Sequence, residues 1–152
     1  MAAKLTIGRA DRADFPALGL ADVAIKIDTG AYTSSIHCHH IALLRDEDTG
    51  RAVLTFRLLD PSHPEYTDRV FRFTEFDAKR VRSSNGTAQR RFVIKGNIRL
   101  FGRTRPLLLT LAERGEMQYP VLIGRRFLAK RFLVDVDAVD LSYAHGLGAN
   151  LK

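Results

Sequence analysis

Short runs of alternating apolar and polar residues, separated by turn-forming residues, make up most of this chain. In the segment AVLTFRLL at positions 52–59, Leu54, Phe56 and Leu58 fall on one face of an extended backbone. The segment RVFRFTEF at positions 69–76 repeats the alternation. A period of two residues is typical of β-strands with one face buried. The sequence therefore predicts an all-β fold.

Turn signals predict how neighbouring strands are joined. Asn85 and Gly86 lie between the segments KRVRS and AQRRFVIKG, and an Asn-Gly pair is a strong hairpin signal. A second turn is expected at positions 101–103. One short helix is predicted in GRRFLAKRF, which begins at Gly124. The tail AHGLGANLK is expected to be a loosely held end.

Length and composition indicate one ordinary domain over residues 1–152. The chain is 45% hydrophobic and 27% charged, which is typical of a globular protein. No apolar run approaches the roughly 18 residues of a membrane-spanning helix, and the N-terminus lacks the pattern of a secretory signal. The single cysteine, Cys38, cannot form an internal disulfide. We therefore expect a cytoplasmic location, where thiols are kept reduced.

The formal net charge is +7. Arginines are concentrated in the middle of the chain, at Arg80, Arg82, Arg90, Arg91, Arg99, Arg103 and Arg105. A basic field attracts anionic partners, either acidic polypeptide or nucleic acid, although a solvated basic surface has the same composition. No helix-turn-helix, zinc-finger or aromatic RNA-binding motif accompanies the charge, so a nucleic-acid partner is not expected.

The tripeptide Asp-Thr-Gly occurs twice, at Asp28–Gly30 and Asp48–Gly50. The first copy follows the apolar segment VAIKI and precedes the small residue Ala31, whereas charged residues flank the second. Aspartate and glycine are common in turns, so the second copy is interpreted as an exposed turn. Asp28 is the catalytic candidate, because an aspartate at the end of a buried strand can be held rigidly by backbone N–H groups.

Aspartate chemistry of this kind requires two carboxylates that share one proton. One carboxylate activates water while the other protonates the carbonyl oxygen of the substrate. Asp48 follows Asp28 by too few residues for each carboxylate to have its own lobe. We therefore predict a symmetric homodimer, in which Asp28 meets its copy across a two-fold axis.

A second motif strengthens this interpretation. The segment YPVLIGRRFL, at positions 119–128, is an apolar strand that ends at Gly124 and is followed by Arg125. Together with IGRADRADFPALGLADVAIKIDTGAYTSSIHC and VRSSNG, it resembles the bacterial RimK-associated family of retropepsin-like aspartic proteases. The resemblance extends from about Ile7 to about Asp137. It implies a closed retropepsin-like (acid protease) barrel with one short C-terminal helix.

The resemblance implies a role for each residue of the first motif. Asp28 would be the catalytic aspartate, and the Thr29 hydroxyl would tie the two loops together across the dimer axis. Gly30 and Ala31 would keep the loop close to the substrate.

Other residues would act around this loop. The hairpin would be a flap that closes over the substrate, formed by Ser83, Ser84, Asn85 and Gly86. An ordinary hairpin fits the same pattern. Gly124 and Arg125 would support the loop from beneath. In viral retropepsins an acidic residue that pairs with the arginine stands where this chain has Tyr32, so Arg125 is expected to have another partner.

Members of this family also carry the label ATP-dependent zinc protease. The group His37, Cys38, His39 and His40 offers possible ligands, but a strand would place two on each face and zinc needs three or four that converge. No phosphate-binding loop for ATP is present. The sequence predicts no metal site and no cofactor, and we assign the ATP to the associated glutamate ligase.

The preferred hypothesis is a homodimeric, cytoplasmic aspartic endopeptidase. Its expected substrates are acidic peptides or polyglutamylated proteins, such as the tails built by RimK-type ligases. Two alternatives remain open: a non-catalytic basic module that binds acidic protein tails or RNA, and a zinc-dependent hydrolase. An Asp28→Asn substitution separates the enzyme from the binding module, and metal analysis tests the hydrolase.

Overall fold

The computed structural model describes residues 3–59, 61, 63–64, 66–82, 86–113 and 118–150. The strands in these ranges are β1 (Leu5–Phe15), β2 (Leu20–Ile27), β3 (Ser34–Arg45), β4 (Ala52–Leu58), β5 (Phe71–Phe73), β6 (Asp77–Arg82), β7 (Ala88–Leu100), β8 (Arg103–Ala112), β9 (Val121–Ile123) and β10 (Phe132–Val139). The helices are α1 (Arg125–Leu128) and α2 (Leu141–Asn150), together with a 3-10 turn at Pro16–Leu18.

All ten strands belong to one mixed sheet, and its hydrogen bonds close into a ring. The strand order is β10-β1-β2-β9-β3-β8-β7-β6, and β1 also pairs with β7 where Asp14 lies opposite Arg99. Strands β10 and β6 extend beyond the ring, while β4 pairs with β3 and β5 with β4. The fold is therefore mostly β, which confirms the predicted strands but not an all-β fold, because two helices are also present.

Apolar side chains fill the space that the ring surrounds. In β2, Val23, Ile25 and Ile27 are buried and Lys26 is exposed, which follows the period of two residues expected for a strand. The largest fully buried side chains are Phe15, Phe56, Ile7, Leu18, Ile25, Ile36, Leu54, Leu59, Ile94, Ile98, Leu109 and Leu111. Each contributes about 1.5–3 kcal/mol of burial free energy.

Both predicted hairpins are confirmed. Strands β6 and β7 pair antiparallel across the segment that holds Asn85 and Gly86. Strands β7 and β8 pair antiparallel around Gly102, whose φ of +74° is readily adopted by glycine. The strand predicted at 69–76 is shorter than expected, since β5 is only Phe71–Phe73.

The prediction of a single short helix is wrong. Helix α1 has only 4 residues, because the backbone of Ala129 leaves the helical region at ψ 138°. The tail was expected to be a loosely held end, but its described part is helical, since residues Leu141–Asn150 form α2. None of the helices in the described ranges is long and apolar enough to cross a membrane.

A buried carboxylate explains why α2 forms despite its glycines, which disfavour helix. Asp11 in β1 is only 2% exposed, and its carboxylate accepts hydrogen bonds from the backbone N–H groups of Ser142 at 2.8 Å and Tyr143 at 3.1 Å. These are N–H groups of the first helical turn, which lack partners within the helix. Because Asp11 lies 131 positions before Ser142, no local pattern reveals this cap.

Candidate active site

The loop that carries Asp28 begins directly at the end of β2. The Asp28 backbone N–H donates to the Ile123 carbonyl at 2.8 Å, which extends the parallel pairing of β2 with β9. The Asp28 carboxylate accepts a hydrogen bond from the Gly30 N–H at 3.1 Å, and its carbonyl accepts one from the Ala31 N–H at 3.2 Å. These bonds fold the loop back on itself and fix the half-buried carboxylate.

Strand β9 lies between β2 and β3, directly beneath this loop. Gly124 follows β9, and a Cβ added there would stand 2.5 Å from the Thr33 carbonyl oxygen and 2.7 Å from that of Tyr32. Only glycine fits this contact without a shift of the backbone. The Gly124 N–H also donates to the buried Ser34 hydroxyl at 3.0 Å. Ser34 therefore helps to hold the loop, and no sequence motif indicated it.

Arg125 connects the start of α1 to the same loop. Its backbone N–H donates to the Ala31 carbonyl at 2.8 Å, and its guanidinium donates to the Thr29 carbonyl at 2.9 Å. The guanidinium also lies 5.9 Å from the centre of the Tyr32 ring, within the range of a cation–π contact. The expectation that Arg125 has a partner other than an acidic residue is met by a carbonyl and an aromatic ring.

The loop leaves its polar residues accessible. Thr29 and Gly30 are exposed and Ala31 is half-buried. Among the described residues, none forms a hydrogen bond with the Thr29 hydroxyl. This hydroxyl is therefore available to a second molecule.

The predicted flap is only partly described. Ser83, Ser84 and Asn85 lie outside the described residues, whereas Gly86 is exposed with a φ of +85°. The strands of this hairpin place like charges opposite each other, Lys79 with Arg91 and Arg80 with Arg90. Such pairs are destabilising in a sheet.

The second Asp-Thr-Gly tripeptide forms the exposed turn between β3 and β4, as predicted. Strand β3 has 12 residues, so the two copies, which flank its opposite ends, lie on the order of 35 Å apart if the strand is extended. Asp28 and Asp48 therefore lie beyond opposite ends of this strand.

The residues of the His37 to His40 run do not fit a zinc site. His37 and Cys38 are both buried, and the strand is irregular beyond His39, where His40 has a φ of +55°. Burial raises the pKa of the Cys38 thiol to about 12. In the described part of the chain, no three His, Cys, Asp or Glu side chains converge as metal ligands.

The sequence of this chain matches a known protein family. A family model described as retropepsin-like aspartic endopeptidase RimB matches residues 6–142. This range includes the Asp28 loop, the hairpin of β6 and β7, and the Gly124 and Arg125 motif.

The curated relatives are longer proteins. A probable alpha-L-glutamate ligase of Shewanella pealeana is 35% identical over 136 residues, which cover 87% of this chain and 28% of that protein. One of Desulfotalea psychrophila is 31% identical over 137 residues, with 88% and 28% covered. One of Parasynechococcus marenigrum is 32% identical over 153 residues, with 97% and 30% covered. The chain thus spans less than a third of the length of these relatives.

A solved structure supports the fold. The crystal structure of a Legionella pneumophila protein of unknown function matches with a TM-score of 0.65 and 23% sequence identity, and the match covers 92% of this chain and 99% of that one. The similarity extends over nearly the whole of both chains, so the two share their architecture.

Proposed function

Because the chain belongs to the RimB-like family of retropepsin-like aspartic endopeptidases, we propose that Asp28 and its copy in a second chain form the catalytic pair. In this proposal each ring of strands is a closed retropepsin-like barrel, and two barrels meet at the Asp28 loops. The pair shares one proton. One carboxylate accepts a proton from the attacking water, and the other protonates the carbonyl oxygen of the scissile peptide bond.

The observation that carries this proposal is the rigid support of an accessible carboxylate. The hydrogen bond from the Gly30 N–H fixes the Asp28 carboxylate, and Arg125 and Gly124 hold the loop from beneath. A catalytic group that is held before the substrate binds needs little reorganisation during the reaction. We assign Gly124 and Arg125 a positioning role and Asp28 the catalytic one.

A homodimer supplies the second carboxylate. Asp48 lies at the opposite end of β3 from Asp28, so the other copy of this tripeptide does not complete the site. The exposed Thr29 would bond to its counterpart across the axis, and Gly30 and Ala31 would lie against the substrate. Residues Ser83 to Gly86 would form the tip of the flap.

We propose acidic substrates, namely polyglutamate tails of the kind made by α-L-glutamate ligases. The curated relatives carry that ligase name and contain a region similar to this chain. A ligase and a peptidase in one protein would build and trim the same tail. The net charge of +7 and the like-charged hairpin favour an anionic substrate. The reaction is assigned to the cytoplasm and needs neither ATP nor zinc in this proposal.

The test is hydrolysis of oligoglutamate by the purified protein, followed by mass spectrometry between about pH 4 and pH 8, because the rate of acid–base catalysis depends on pH. Wild type should shorten the peptide, and Asp28→Asn should abolish turnover while retaining binding. Asp48→Asn is the matched control, because it makes the same change in the other tripeptide, and it should be fully active. Oligoglutamate that stays intact with wild type at every pH would refute the proposed activity.

The dimer has its own test. Wild type mixed with an excess of Asp28→Asn should lose activity in proportion to the heterodimers formed, since one carboxylate is missing from each. Activity that depends only on the amount of wild-type chain would mean that a single copy is sufficient.

A further inference from the structure

A basic cavity of about 380 Å³ lies beside the end of the Asp28 loop. One wall is formed by Thr33, the last residue before β3, and by Arg126 in α1. The opposite wall is formed by the hairpin strands, with Lys79 on β6 and Lys95 on β7. Arg131, just after α1, completes the basic lining.

The cations of this cavity have no acidic counterpart within it. Among the described residues, no aspartate or glutamate lines the cavity. None of the described carboxylates forms an ion pair with Lys79, Lys95 or Arg126. Lys79 and Lys95 lie on the same face of the hairpin, because Lys79 is paired with Arg91, and Arg91, Val93 and Lys95 alternate along β7. Asp77, which is paired with Val93, lies on this face between the two lysines and lines the neighbouring cavity. Cations gathered around a concave surface raise the local positive potential.

The neighbouring cavity has the opposite character. It measures about 440 Å³, shares Val93, Lys95 and Leu108 with the first cavity, and is lined by Glu75 and Asp77. An anionic side chain is therefore favoured on one side of Lys95 and disfavoured on the other. This arrangement can select where along an acidic peptide a carboxylate is bound.

We propose that the basic cavity is the subsite for a glutamate side chain of the substrate, with Lys79, Lys95 and Arg126 as the residues that bind its carboxylate. The inference rests on the proposed peptidase function and adds the place at which acidity is recognised. Thr33 follows Asp28 by five residues, a span of at most about 18 Å. The glutamate bound there lies within about five residues of the scissile bond, because an extended peptide advances about 3.3 Å per residue.

The lining favours a carboxylate over a nucleic acid. Proteins that bind single-stranded nucleic acid present exposed aromatic rings on which bases stack. The aromatic residue of this cavity, Phe127, is only 5% exposed, and the Arg131 guanidinium lies 5.1 Å from its ring centre. The rest of the apolar wall is aliphatic and suits the methylene groups of glutamate.

The experiment measures binding, so that its result does not depend on hydrolysis. Fluorescein-labelled hexaglutamate is titrated with Asp28→Asn protein, alone and with Lys79→Gln, Lys95→Gln and Arg126→Gln combined. The matched control combines Lys4→Gln, Arg99→Gln and Arg103→Gln, three exposed cations outside the cavity. All six substitutions are on the surface, and melting temperatures verify that each protein is folded.

We expect the cavity variant to weaken hexaglutamate binding at least about tenfold, a size typical of charge-assisted contacts. The control should change it less than about threefold. If the cavity substitutions and the control substitutions weaken binding equally, the effect comes from the overall charge, and the proposed subsite is wrong. Unchanged binding by the cavity variant, or no hexaglutamate binding by the parent protein, would also overturn it. Preferential binding of single-stranded RNA that the cavity variant abolishes would reassign the cavity to nucleic acid.

A second measurement removes charge from the ligand instead of the protein. Each glutamate of the hexapeptide is replaced in turn by glutamine. Replacement at one or two positions should weaken binding about tenfold in the parent protein and have no effect in the cavity variant. Glu75→Gln should strengthen hexaglutamate binding, because it removes a negative charge next to Lys95. An equal effect at all six positions, or weaker binding by Glu75→Gln, would contradict the proposed location.

Cleavage by wild type separates this inference from the function on which it rests. If wild type cleaves oligoglutamate and the cavity variant binds it normally, the subsite is wrong and the peptidase function stands. If wild type cleaves nothing and the cavity binds hexaglutamate as described, the peptidase function is wrong and the anion site stands.

Discussion

The two Asp-Thr-Gly tripeptides have the same residues, but one is held by local hydrogen bonds and the other by long-range ones. At Asp48–Gly50 the hydrogen bonds are local: the Asp46 carboxylate accepts from the N–H groups of Asp48 at 2.8 Å and Thr49 at 3.2 Å. At Asp28–Gly30 the loop is held by residues far away in sequence, since the Arg125 guanidinium donates to the Thr29 carbonyl across 96 positions.

In each tripeptide, one backbone carbonyl nevertheless accepts a hydrogen bond from an arginine side chain. Arg45 donates to the Gly50 carbonyl at 2.9 Å, and Arg125 donates to the Thr29 carbonyl at 2.9 Å. The first arginine closes a turn that contains only its neighbours, whereas the second joins the loop to β9 and α1. Two identical tripeptides therefore have different structural surroundings. The first copy follows β2 where that strand pairs with β9.

The largest expected effect comes from the glycines of the two regions. Gly124→Ala should destabilise the fold by about 3 kcal/mol or more, because its Cβ would meet backbone atoms of Thr33 at 2.5 Å and 2.7 Å. Gly50 has a φ of +71° with open space around it, so Gly50→Ala should cost only about 1 kcal/mol. Urea unfolding of both variants measures the difference. Equal losses of stability would mean that the contact beneath the Asp28 loop is not tight.

The arginines give the next largest effect. Arg125→Gln should lower kcat about tenfold, because a loop that is no longer held in position misplaces the proposed catalytic carboxylate, Asp28. Arg45→Gln removes a hydrogen bond of the same kind from the other tripeptide and should leave kcat unchanged. Steady-state cleavage of oligoglutamate, with melting temperatures as a check on folding, separates the two. A comparable loss in both variants would contradict the positioning role of Arg125.

The features that could be predicted from the sequence depend on near neighbours along the chain. The hairpin at Gly86, the turn at Asp48–Gly50 and the strand before Asp28 all follow from turn residues and a period of two. Recognition of Gly124 and Arg125 depended instead on similarity to a known family. No physical rule that can be applied to a single sequence predicts how far these residues lie from Asp28 along the chain.

The features that could not be predicted depend on contacts between distant segments. Asp11 reaches the N-terminus of α2 across 131 positions, so the glycine-containing tail was misjudged from local propensity. The basic cavity combines Lys79 and Lys95 from the hairpin with Arg126 from α1. In the sequence these residues are part of a general excess of positive charge. Only the fold shows which cations surround the same space.

The third prediction concerns Asp11, which binds the N-terminus of the C-terminal helix α2 from a distant part of the chain. Burial raises the pKa of the Asp11 carboxyl above its ordinary 3.8, because desolvation disfavours the charged form. The folded state therefore binds this proton more tightly than the unfolded chain. The corresponding stability is fully present below pH 3.8 and is lost as the pH rises through the raised pKa.

Asp11→Asn tests this sign. The free energy of unfolding of the wild type, measured by urea from about pH 3.5 upwards, should fall relative to that of the variant as Asp11 ionises. Asparagine keeps one acceptor oxygen for the helix N-terminus. The charge of Asp140 also raises the pKa of Asp11, so Asp140→Asn, made in both proteins, is the control. A difference between the two proteins that is constant with pH, or that grows in the opposite direction, would show that Asp11 is not a desolvated acid.

The smallest effect is expected at Asp46. Asp46→Ala removes the carboxylate that organises the second tripeptide, so the turn should loosen and the free energy of unfolding should fall by about 0.5–1 kcal/mol, as for the loss of a capping side chain. Because both ends of this turn belong to the β3 and β4 hairpin, the loss should stay local, and kcat for oligoglutamate should not change. Urea unfolding and steady-state kinetics measure the two quantities. A fall in kcat would mean that the exposed tripeptide contributes to catalysis. The two copies would then not have the separate roles that we propose for them.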